Sequence, residues 1–173
     1  MHVTLVRLTT PNMPDTRVFD DVLLPLKYAF ERLGYQAETR VNSFNPKSRN
    51  ICLGANYDPE QKWHKLPDGA IIFNLEQLEA SGYPWQKTGG YLALLKKFEV
   101  WAFSLKNIDF LISRNIKASL LTLGSVPDMS RLTQCSSPPT DAVFYGALTS
   151  RRGRVLHALS FIGLKFLQRE MAC

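Results

Sequence analysis

Glu76, followed by Gln77, comes directly after the strand-like run Ala70-Ile71-Ile72-Phe73-Asn74-Leu75. A carboxyl group in that place, partly buried and with its pKa raised toward neutrality, can act as a general base or bind a hydroxyl-rich ligand. Asn74 and Gln77 add amide groups for the same ligand. The plainer alternative is a solvated carboxylate beyond a strand, with Asn74 tying down the turn, because one Glu makes no dyad. Thr9 and Thr10 follow the first apolar run, and Tyr57 and Asp58 the third. Both pairs fall where an open parallel α/β sheet gathers ligands, beyond the carboxyl ends of its strands.

Trp85, in a Gly/Pro-rich loop with Tyr83, offers a flat face for a sugar or base, whereas Trp101, between Val100 and Ala102-Phe103, reads as core. Near the carboxyl end, Phe144-Tyr145-Gly146 runs through Ala147-Leu148-Thr149 into Ser150-Arg151-Arg152. A strand passing through a glycine turn into a helix start sets free N–H groups beside two arginines, which suits a phosphate on Gly146, Arg151 and Arg152. Neither a Walker A motif nor GxGxxG is present, and the same arginines, with Arg154, also suit the solvated side of a helix whose apolar side is Val155, Leu156, Leu159 and Ile162.

The 173 residues are 45% hydrophobic and 21% charged, the composition of an ordinary globular chain with room for one full domain and part of another. No uncharged apolar run reaches the ~18 residues of a membrane span, and no leader precedes the strand-like start, so a cytoplasmic protein is expected. Cys52, Cys135 and Cys173 form no CxxC pair and His2, His64 and His157 no HxxxH, so neither disulfides, a metal nor any other cofactor is expected. The net charge is +6, of which residues 142–173 carry +4, from Arg151, Arg152, Arg154, Lys165 and Arg169 against Glu170. No nucleic-acid motif accompanies this cluster, and nucleic acid is not the expected partner.

Alternating apolar runs predict strands at His2–Leu8, Gln36–Val41, Ile51–Ala55, Ala70–Leu75 and Ser119–Leu123, and a short strand or extended turn at Val100–Ser104. Helices are predicted over Val18–Leu33, with Val18, Val22, Leu26, Phe30 and Leu33 on one face and Pro25 bringing a kink or a later start, over Tyr91–Phe98, and over Asn107–Asn115, with Ile108, Leu111 and Ile112 on one face. The aperiodic stretch 128–141 reads as a linker. Beyond it a strand at Ala142–Gly146, a helix capped by Ser150 and stopped by Gly163, and a strand from Leu164 restart the pattern. The expected fold is α/β: a Rossmann-like parallel sheet over residues 1–127, flanked by helices, followed by an incomplete β-α-β unit over 142–173.

The runs AIIFNLEQLEAS, VWAFSLKNIDFL, TLGSVPDM and DAVFYGALTSRRGRVLHALSFIGLKF, in that order, resemble the amino-terminal half of bacterial glycosyltransferase-like proteins of the two-Rossmann (GT-B) fold, across about residues 70–170. The resemblance implies an acceptor-side domain in which Asn74, Glu76 and Gln77 face the cleft. It also implies a truncated donor-side domain whose Gly146 turn, Arg151 and Arg152 face the diphosphate of a nucleotide sugar. The sequence departs from the family at Ala102, where an acidic residue is usual, and the carboxylate that holds the donor ribose has no counterpart. A glycosyltransferase-like protein inactive by itself is therefore expected, with a nucleotide sugar and a glycan or similar acceptor as ligands once a donor domain completes it. The alternative is a non-catalytic α/β module that pairs with itself or with a partner chain.

Overall fold

The computed structural model describes residues 1–10, 17–57, 66–78, 90–129, 136–146 and 148–169. The chain divides into two compact units, Met1–Ser130 and Arg131–Cys173. In the first, β1 (His2–Arg7), β2 (Gln36–Val41), β3 (Arg49–Leu53), β4 (Ile71–Asn74), β5 (Glu99–Ala102) and β6 (Ala118–Leu120) form one sheet in the order β2-β1-β3-β4-β5-β6. Every neighbouring pair is parallel. Helices α1 (Asp20–Arg32), α2 (Gly90–Leu95) and α3 (Leu105–Ile112) flank it.

The pleat sorts alternate residues onto two cores, one on each face. Val3, Leu5, Ile51, Leu53, Ile71 and Phe73 pack with Phe19 and Leu23, and Val22, Leu26 and Phe30 of α1 lie against them half-buried. On the other face Val6, Leu8, Cys52, Ile72, Val100 and Ala102 meet Tyr91, Leu94 and Leu95 of α2 and Leu111 of α3. Helices on both faces of a parallel sheet make this a doubly wound α/β arrangement of Rossmann-like type.

Some local expectations are corrected. A 3-10 turn over Arg17–Phe19 precedes α1, which runs on through Pro25. Val18 and Leu33 fall outside the helix and are exposed, while Phe19 and Leu23 supply its buried contacts. In α3 the buried partner of Leu111 is Asn107, and Ile112 is exposed. Asp128 and Met129, expected in the linker, form a 3-10 turn with Pro127, and Asp128 pairs with Arg32 at 2.9 Å.

No helix joins β2 to β3. Residues 42–48 carry the chain past β1, and polar groups hold them there: Thr4, fully buried, donates to Glu38 Oε1 at 2.9 Å and also bonds Ser48. Asn50 donates to the carbonyls of Asn45 and Ser48 and accepts from the Asn45 N–H.

In the second unit β7 (Ala142–Tyr145) and β8 (Phe166–Arg169) pair in parallel, linked through α4 (Ser150–Phe161). The cap of α4 is Thr149 rather than Ser150: Thr149 is extended, and its hydroxyl accepts from the Arg152 N–H at 3.3 Å. Gly163, at φ +86°, follows the helix end in the left-handed conformation that glycine adopts without strain.

Candidate functional site

Beyond the carboxyl end of β4 the chain turns through residues 75–78, and two buried asparagines hold that turn. Asn74 Nδ2 donates to the Glu76 carbonyl at 3.0 Å, and its Oδ1 accepts from the Glu76 N–H at 3.3 Å and from the Tyr91 hydroxyl at 2.9 Å. Asn107, reaching across from α3, donates through Nδ2 to the same carbonyl at 2.8 Å and accepts from the Leu78 N–H at 3.1 Å. Buried amides left unpaired are costly, and this pairing removes that cost while fixing where the Glu76 side chain starts.

The carboxylate itself is held from the loop after β3, where Asn56 Nδ2 donates to Glu76 Oε1 at 2.9 Å. Asn56 is brought there by Gly54, whose φ of +87° turns the chain into the short 3-10 turn Ala55–Tyr57. A Cβ on Gly54 would lie 2.7 Å from the Leu8 carbonyl oxygen, so only glycine permits this approach of the loops after β1 and β3.

Burial raises the pKa of Glu76, opposed by the hydrogen bond from Asn56, which favours the ion. Burial, and then the charge of Glu76, also raise the pKa of Tyr57 and that of Tyr91, so both hydroxyls stay protonated as donors. A half-buried carboxyl group with raised proton affinity and one anchored oxygen can accept a proton from a ligand hydroxyl.

The structure brings Asn74 and Glu76 together, but Asn74 is fully buried and its amide is engaged within the turn, so it supports the site from beneath. Gln77 is exposed beside Glu76. Thr10 lies buried beyond β1, while Trp85 falls outside the described residues. Gly146 belongs to the second unit, where it is buried with φ +125°; a Cβ on it would sit 3.6 Å from Arg152 Nη1. Arg151 and Arg152 are exposed at the start of α4.

Sequence reasoning missed Asn56, Tyr91 and Asn107. Only Asn107 left a signal, a polar residue four positions before the buried Leu111 on one helical face. Among the described residues no group of three or more His, Cys, Asp or Glu is placed to hold a metal ion. No helix among them is long and apolar enough to cross a membrane.

The first unit is thus a doubly wound parallel α/β domain with an anchored carboxyl group beyond the carboxyl ends of its strands. Compared with known proteins, the chain matches no family model, no curated protein and no solved structure.

Proposed function

We propose that the first unit is the acceptor-side domain of a nucleotide-sugar-dependent glycosyl transfer system, in which Glu76 is the general base. The acceptor hydroxyl gives its proton to the Glu76 carboxylate as its oxygen attacks the anomeric carbon and the nucleoside diphosphate departs. Gln77 and Thr10 serve acceptor binding, with Trp85 as a stacking surface, and within the second unit the Gly146 turn with Arg151 and Arg152 is the candidate phosphate site. The observation that carries this reading is the half-buried Glu76 beyond β4, with Oε1 anchored by Asn56.

Transfer requires donor and acceptor to be aligned together, so the reading is tested on binding by the whole chain. Titration with a panel of methyl glycosides, followed by amide NMR, is expected to shift the signals of residues 54–57 and 76–78. E76Q is expected to weaken that binding about tenfold, the scale of one hydrogen bond to a charged group. Glycosides that bind E76Q as tightly as the parent, or that leave both segments unmoved, overturn the reading.

A specific observation favours a second reading, the non-catalytic pairing module. In the second unit α4 has no buried residue, and Phe161 and Ile162 are 87% and 71% exposed. Such apolar exposure favours association. Sedimentation equilibrium showing a concentration-dependent mass that F161S with I162S abolishes supports this reading, and a constant monomer mass removes it.

A further inference from the structure

Glu76 is held by residues from three separate segments. Asn107 grips the main chain of the turn at two points, taking the Glu76 carbonyl and the Leu78 N–H with the two ends of one amide. It does so from a helix 31 residues further along the chain, at 3% exposure. Asn74 duplicates the grip on the carbonyl but adds the N–H of Glu76 itself, and the buried Tyr91 hydroxyl fixes the orientation of its amide. Among the described residues Asn56 alone hydrogen-bonds the carboxylate, and it bonds one oxygen only. Among the described residues Oε2 has no hydrogen-bond partner.

A turn whose sole task was to leave a strand would need none of this. Water would serve an exposed carboxylate, and a main-chain turn would satisfy the carbonyl without two buried amides. The described arrangement instead fixes the backbone from below and one carboxylate oxygen from the side, as a preorganised reactive group requires.

We propose that Asn56 and Asn107 are positioning residues for Glu76: Asn107 fixes its main chain, and Asn56 pins Oε1 so that Oε2 is the oxygen presented to a ligand. This deepens the reading of Glu76 as a base and rests on it for its purpose, but the positioning is a property of the ligand-free chain. The two residues act in opposite senses on the carboxyl group. Asn56 is the neighbour that favours its ionised form, and Asn107 keeps it in the half-buried place where ionisation is disfavoured. Among the described residues the titratable groups that feel its charge are Tyr57, next to Asn56, and Tyr91 of α2; both are neutral through the carboxylate range.

The test is a carboxyl-carbon NMR titration of the whole chain, with E76Q identifying the Glu76 signal. The parent is expected to titrate above the ordinary glutamate range. N56A is expected to move the midpoint further up, because the burial remains and the donor is gone. N107S is expected to move it down toward the ordinary value, because the loosened turn lets the carboxylate reach water. A merely structural asparagine would lower stability without producing this opposed pair of shifts. A midpoint in N56A that is unchanged or lowered overturns the proposal, as does an unchanged midpoint in folded N107S. Asn56 is only half-buried, so N56A keeps the test decisive if N107S does not fold. Because no ligand is added, failure of glycosides to bind would sink the functional reading and leave this one standing. Bound glycosides with unmoved midpoints would do the reverse.

Discussion

Gly54 and Gly34 have nearly the same backbone conformation and opposite surroundings, so alanine at each separates strain from collision. Their φ angles are +87° and +81°. A left-handed alanine costs about 1 kcal/mol at either position. At Gly34 no heavy atom lies within 4 Å of the added Cβ, and the cost should end there. At Gly54 the Cβ would meet the Leu8 carbonyl oxygen at 2.7 Å and the Phe19 ring at 3.0 Å. The carbonyl is main chain and must move, straining the adjoining bond from the Leu8 N–H to the Leu53 carbonyl, now 2.9 Å, for about 1 kcal/mol. Displacing Phe19 from a packed core adds about 1 kcal/mol or more. G54A is therefore expected to lose about 3 kcal/mol and G34A about 1 kcal/mol, measured by urea unfolding monitored at tryptophan. Amide exchange should locate the loss, with Leu8 and residues 55–57 losing protection in G54A alone. Equal losses in the two variants would refute the reasoning, because they would mean that the loops after β1 and β3 do not meet at Gly54.

The pH dependence of stability should carry the mark of Glu76. Burial raises its folded-state pKa, so the folded chain binds that proton more tightly than the unfolded chain, and stability falls as pH rises from the ordinary glutamate value through the raised one. Urea midpoints across that window are expected to fall less in E76Q, leaving it the more stable protein at pH 8. Glu38 has the opposite sign: hydrogen bonds from Asn45 and Thr4 lower its pKa, so its contribution is present above the ordinary value and lost as pH falls through the lowered one, a loss that E38Q should abolish. Cys52 is fully buried and its thiol is pushed up to about 12, so peptide mapping after iodoacetamide should find it unmodified in the native chain and modified in urea. T149A should destabilise α4 by about 1 kcal/mol and S150A far less, read by amide exchange within the helix.

The sheet was legible because its strands are short apolar runs between turn residues, and Gln36–Val41 matches at both ends. The helix faces were read less well, for a physical reason. Val18 and Leu33 fit a helical spacing, but the helix occupies only Asp20–Arg32, so the spacing counted residues that do not share its geometry. At α4 two adjacent hydroxyl residues offered a cap, and the extended backbone at Thr149 decided between them. Glu76 and Asn74 were legible from their place after a strand. Asn56 and Tyr91 were not, because their contacts lie 20 and 17 residues away, which no local spacing encodes, and Asn107 showed only as a polar residue on a buried helical face, its partner 31 residues away.

The strand order reverses between β1 and β3, and it is there that a doubly wound sheet opens its crevice. In this chain the Leu8 carbonyl and Gly54 stand too close for even a methyl group between them, and the Leu8 N–H bonds the Leu53 carbonyl. That contact ties the ends of β1 and β3 together at the reversal. The polar groups gather one strand further on, with Asn56 from the loop after β3 and Glu76 from the turn after β4 bonding across the gap between those loops. The same glycine that makes this contact also turns the chain into the 3-10 turn carrying Asn56. Loss of Gly54 should accordingly disturb the Glu76 titration as well as stability, whereas loss of Gly34, at the far end of α1, should leave it unchanged.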